Sequence, residues 1–172
     1  MENSVWGKRG VSLVEGIVTV ALFSLIFGAS VLVLLSGSNS WQVEDTRNQM
    51  QDELRKSLDA IREDVVEAGT STMTSPTDGG TDVKAVFRVA SGVSGGSVTW
   101  SANTIQLSLG GTGSNQLQRI SGGVTKVIAN NIKTLQFSRV SSLVTVSLTA
   151  EKKTPSGRTI DVTMQSDIRM RD

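Results

Sequence analysis

Residues 16–35 read GIVTVALFSLIFGASVLVLL, twenty residues without a charge or a proline. As a helix the run is about 30 Å long, the thickness of a bilayer's hydrocarbon core. A helix that is apolar all round belongs in lipid or a deep core, and 172 residues leave room for one domain core beside an appendage. The stretch therefore predicts a membrane span, and the rest of the chain is organised about it.

Lys8 and Arg9 stand just before the run, and the next charges are Glu44 and Asp45. The positive-inside rule then puts the N-terminus in the cytoplasm and the remaining chain on the far side of the membrane. With 17 Lys and Arg against 16 Asp and Glu, and no basic stripe, nucleic acid is not an expected partner. The chain has no Cys and no His, which removes disulfides, thiol nucleophiles, imidazole bases and the usual zinc ligands. No cofactor is expected, and no enzymatic turnover.

After the polar stretch SGSNS (36–40), apolar residues recur at Val43, Met50, Leu54, Leu58, Ile61, Val65 and Ala68, in helical steps of three, four or seven. The positions between them carry acids and bases, so 36–69 predicts an amphipathic helix, and the helical region as a whole runs over 11–68. Gly69 follows the last periodic residue and is expected to close the helix in the left-handed conformation.

From residue 83 the pattern changes to alternation. In LVTVSLTA (143–150), Val144, Val146 and Leu148 share one face; in RTIDVTMQSDIRM (158–170), Ile160, Val162, Met164, Ile168 and Met170 do the same, opposite Asp161 and Asp167. Shorter strands are predicted at 83–90, 104–109, 115–120 and 134–139, separated by the turns SGVSGGS, GGTGSN and SGG. The fold class is α+β, with a long N-terminal helix whose apolar stripe covers the antiparallel sheet of a head domain spanning 70–172.

The start of the chain, KRG followed by VSLVEGIVTVALFSLI, resembles the class III signal of type IV prepilins and type II secretion pseudopilins. That resemblance implies a leader over 1–10 cut after Gly10, a mature N-terminus at Val11 that is N-methylated, a filament-core helix over 11–35, and Glu15 as the fifth mature residue, used in assembly. Val11 stands where these families usually have Phe, and Leu32 where many major pilins have Pro. In the head, LRKSLDAIREDVVEAG, NIKTLQFSR, LVTVSLTAEKK and DIRMRD look like the PilW and pseudopilin J group of minor pilins.

Removing the leader would create an α-amino group at Val11, with a reference pKa of about 8, one helical turn from Glu15. In stacked, staggered helices the carboxylate of one subunit can meet the amine of another, and pairing in a water-poor core fixes register. The plainer role for Glu15 is to complement the positive end of the helix dipole, worth about 0.3–1 kcal/mol.

Other motifs are weaker. Ser24 and Gly28 form a small-xxx-small pair that would permit close helix approach. GGTGSN (110–115) lacks the Lys-Ser/Thr of a phosphate loop and reads as a hairpin turn. Asp78 and Asp82 offer oxygens to Ca²⁺ but are few for about six to eight ligands. From Val83 onward the acids are Glu151, Asp161, Asp167 and Asp172, without an evident acid and base pair.

These readings converge on a minor pilin or pseudopilin of the inner membrane, matured by prepilin peptidase and joined to other pilins or pseudopilins in a priming or tip complex. The alternative is an exported binding domain with an ordinary signal peptide, cut after Ser38, or an uncleaved anchor. The apolar run exceeds the usual signal-peptide length of about 7 to 15 residues.

Overall fold

The computed structural model of the protein describes residues 12–171. One long helix, α1 (Leu13–Val66), precedes ten strands: β1 (Thr81–Asp82), β2 (Lys84–Phe87), β3 (Ala90–Ser94), β4 (Ser97–Trp100), β5 (Ile105–Gly110), β6 (Gln116–Ser121), β7 (Val124–Ala129), β8 (Ile132–Val140), β9 (Leu143–Lys153) and β10 (Thr159–Arg169). The fold is α+β with antiparallel sheets. The chain divides into two units after Gln42.

In the first unit, α1 presents its apolar side chains to the outside, among them Phe23, Leu25 and Leu34, each more than 70% exposed. The helix runs unbroken through SGSNS, although Ser, Gly and Asn are poor helix formers. Extending a formed helix is far easier than nucleating one, and the Ser40 hydroxyl is satisfied by the carbonyl of Ser36 at 3.2 Å.

In the second unit, Met50, Leu54, Leu58, Ile61 and Val65 of α1 join the strands in one hydrophobic core. The predicted stripe is thus buried from Met50 to Ala68, Val43 is half-buried, and Thr46 and Ser57 complete the inner face. Ser57 is accommodated because its hydroxyl donates to Glu53 O at 2.6 Å.

The head contains two four-stranded antiparallel sheets, ordered β1-β8-β9-β10 and β2-β5-β6-β7, and a separate β3-β4 hairpin, where alternation alone predicts one sheet. Both large sheets supply the core, β5 and β6 through Leu107 and Leu117, β8 and β9 through Phe137, Val146 and Leu148. β10 pairs with β9 over eleven residue positions, from Thr159↔Lys153 to Arg169↔Leu143.

Several predicted bounds need correction. The strand expected over 83–90 is divided among β2, a break at 88–89 and the start of β3. SGVSGGS is not a loop but most of the β3-β4 hairpin, closed by Gly95 and Gly96 at φ 61° and 81°, the positive pair that a two-residue hairpin turn demands. β7 carries no alternating signal, since Val124, Val127 and Ile128 follow no period of two; pairing with β6 makes it a strand.

The helix ends at Val66, and Gly69 is not left-handed: it is absent from the positive-φ glycines. Space rather than φ requires glycine here, because a Cβ on Gly69 would stand 2.3 Å from Cη2 of Trp100.

Candidate functional site

The first turn of α1 is built by its own sequence. Ser12 precedes the helix, its Oγ accepts the Glu15 N–H at 3.3 Å, and its carbonyl accepts the Gly16 N–H at 3.1 Å. Ser12-Leu13-Val14-Glu15 is the Ser-x-x-Glu pattern of a capping box, a signal legible in the chain that points to Ser12 as the residue that starts the helix. Glu15 therefore occupies the third helical position, exposed, where the free N–H groups favour an anion. Gly16 leaves a notch beside it, bordered by Leu13, Ile17 and Val20. Lys8, Arg9, Gly10 and Val11 lie outside the described residues.

Beyond Glu15 the helix has no charge until Glu44. Its hydroxyls are tied back inside the helix: Thr19 to Glu15 O at 2.7 Å, Ser24 to Val20 O at 2.8 Å and Ser30 to Ile26 O at 2.9 Å. A hydroxyl satisfied in this way can enter hydrocarbon without an unpaired donor. Ser24 and Gly28 lie on the open surface, and a Cβ built on Gly28 meets nothing within 4 Å. α1 is long and apolar enough to cross a membrane.

In the head, the two candidate Ca²⁺ ligands serve separate structural tasks. Asp78 accepts the Ser141 N–H at 2.6 Å. Asp82 accepts the Ser75 hydroxyl and, at 2.7 Å, the Val83 N–H. The Ser75 hydrogen bond leads in holding the Asp82 carboxyl below its usual range, opposed by some burial and aided by the Val83 N–H. Among the described residues no three His, Cys, Asp or Glu side chains cluster as a metal site would require.

Two further contacts position the head. Asp64 of α1 receives Nε and Nη2 of Arg119 on β6 at 2.8 and 3.0 Å, a bidentate pair that fixes the helix to the β2-β5-β6-β7 sheet; the Asp64 hydrogen bond raises the Arg119 pKa further. Lys133 bridges Glu151 at 2.6 Å and Asp161 at 3.0 Å, and those two hydrogen bonds, Glu151 first, raise its pKa.

Arg139 is the positioning residue that the sequence reading missed. It sits 8% exposed on the inward series Leu135, Phe137, Arg139. Its guanidinium donates to Thr70 O at 2.8 Å, Met73 O at 3.2 Å and Ser141 O at 3.0 Å. A cation in an inward strand position was the available signal, since such a group is buried only with partners.

The outer face of β8, β9 and β10 carries a shallow depression lined by Thr81, Gln136, Ser138, Thr145, Ser147 and Gln165. These groups offer hydroxyls and amides for hydrogen bonding and include no titratable side chain.

No protein-family model matches the chain, and neither a curated protein nor a solved structure matches it.

Proposed function

We propose that the protein is a minor pilin or pseudopilin, matured by prepilin peptidase between Gly10 and Val11 and assembled with other pilins through its apolar helix. The observation that carries this reading is the coincidence, on one helix, of a charge-free exposed segment, a carboxylate in its first turn, and a C-terminal half that forms part of a β-rich head. KRG directly before that helix supplies the cleavage signal that the resemblance implies.

The chemistry follows from the cut. Before it, Glu15 complements the positive end of the helix; after it, Val11 bears an amine four residues before Glu15 in sequence, and Ser12 caps the turn that carries the carboxylate. As helices pack side by side in a filament, the acid of one subunit neutralises the amine of the next, and the pairing selects one axial stagger. The head, held to the helix by the shared core and by Asp64 with Arg119, is the surface presented to partners.

A signal-peptidase cut after Ser38 is disfavoured by the same geometry, because Ser38 lies inside α1 and the cut would sever the helix about seven turns before Val65, its last residue buried in the core. The test is the intact mass and N-terminal residue of the chain produced beside a prepilin peptidase. A start at Val11 is expected; a start at Asn39, or retention of Met1, overturns the proposal.

A further inference from the structure

Three tryptophans occur in the chain, and the function just described uses none of them. Trp100 is half-buried against Gly69, whereas Trp41 is 79% exposed on α1. An indole in that position normally has a covering, and the helix itself identifies one.

Trp41 lies six residues beyond Leu35, the end of the apolar run, so its Cα stands about 9 Å past the hydrocarbon edge if the run fills the bilayer core. Helical side chains lean toward the N-terminus and lie over the preceding turn, which returns the ring about 5 Å toward that edge. The turn it leans over contains Gly37 and Ser38, and a Cβ built on Gly37 meets nothing within 4 Å. The space over that turn is therefore open to the ring, at the depth of the lipid carbonyls and phosphates. Glu44 and Asp45 follow at once, and their charge keeps the next turn in water.

At the other end stands Glu15. Twenty-six positions separate it from Trp41, about 39 Å along one helix, enough to reach from one headgroup layer to the other across a hydrocarbon core of about 30 Å.

We infer that Trp41 is a lipid-binding anchor whose indole occupies the headgroup layer on the far side of the membrane and fixes the depth of α1. Its apolar face rests on the acyl edge and its Nε1–H donates to lipid carbonyl or phosphate oxygens, the amphipathic use that concentrates Trp at membrane interfaces. Fixing that depth holds Glu15 at the opposite headgroup layer, where its first turn meets the peptidase and the incoming subunit. This consequence rests on the pilin reading; the anchor itself rests only on the membrane span.

The test uses the full chain with Trp6→Phe and Trp100→Phe, leaving Trp41 as the reporter, in vesicles of phosphatidylcholine and phosphatidylglycerol. The Trp6→Phe chain that keeps Trp100, with and without Trp41→Phe, gives the same signal by difference should Trp100→Phe loosen the head. Lipids carrying a quencher near the carbonyls are expected to quench Trp41 several-fold more than lipids quenched near the chain end, with iodide access reduced several-fold against the unfolded chain. Full iodide access without lipid quenching, or strongest quenching at the chain end, overturns the inference. Correct processing at Val11 with Trp41 in water would sink the anchor and leave the filament reading; a quenched Trp41 on an uncut chain would do the reverse.

Discussion

Gly69→Ala tests how the end of α1 is joined to the β3-β4 hairpin. The new Cβ would lie 2.3, 2.5 and 2.9 Å from Cη2, Cζ2 and Cζ3 of Trp100, so the indole must shift by about 1 Å to reach an ordinary carbon contact of roughly 3.5 Å or more. Overpacking of this kind costs about 1–3 kcal/mol. Against it stands a gain of about 0.4–1 kcal/mol, because alanine restricts the unfolded chain and Gly69 has no positive φ to forbid it. The net is a destabilisation of roughly 1–2 kcal/mol. The hairpin root should loosen with it, since Ala90 N donates to Glu67 O at 3.2 Å and Ala68 bridges Val89. In a Trp100→Ala background the obstacle is gone, and Gly69→Ala should become stabilising by about 0.4–1 kcal/mol. The assay is urea unfolding of the full chain in a mild detergent, followed by far-ultraviolet circular dichroism, with midpoints compared at constant m value. A change of sign between the two backgrounds is a coupling that only contact between residues 69 and 100 produces. Equal effects in both would refute the steric argument and place the requirement in the backbone.

Two other perturbations address the proposed assembly role of Glu15 and the head. If the protein is a pilin as proposed, Glu15→Ala should insert in the membrane as before but recover partner pilins at least about tenfold less well, equivalent to about 1.4 kcal/mol; co-purification at unchanged yield would end the register role. Asp82 has a native pKa below its unfolded value, so its stabilisation is complete above the unfolded pKa of about 3.9 and is lost as the pH falls through the lower native value. Asp82→Asn should therefore lower the denaturation midpoint by a constant amount near neutrality, with the gap to the unmodified chain closing below about pH 4; a gap that widens on acidification contradicts this account.

The head is where pattern reading and structure part company. Long strands with one buried face were legible: Val144, Val146 and Leu148 are buried, as are Val162, Ile168 and Met170, because a period of two shows directly when one side meets a core. β3 and β7 bury little, so their apolar residues obey no period of two and their strand character comes from a turn and a neighbour. The same reasoning explains the two sheets: alternation identifies a strand's faces but says nothing about which strand lies beside it.

The site divides along a similar line. Local sequence by itself carried the existence of one long helix, read over 11–68 against the observed Leu13–Val66, the capping pattern of its first turn at Ser12 and Glu15, and the charge-free span between Glu15 and Glu44, since all of these act over one turn or one helix. Only the tertiary structure decided that Gly69 serves the Trp100 ring rather than a left-handed cap, that Arg139 ties the loop at 70–73 to β8, and that Asp78 and Asp82 bind main-chain N–H groups and a hydroxyl. Each of those contacts joins residues whose meeting depends on the packed sheets, and no periodicity within a single segment carries that information.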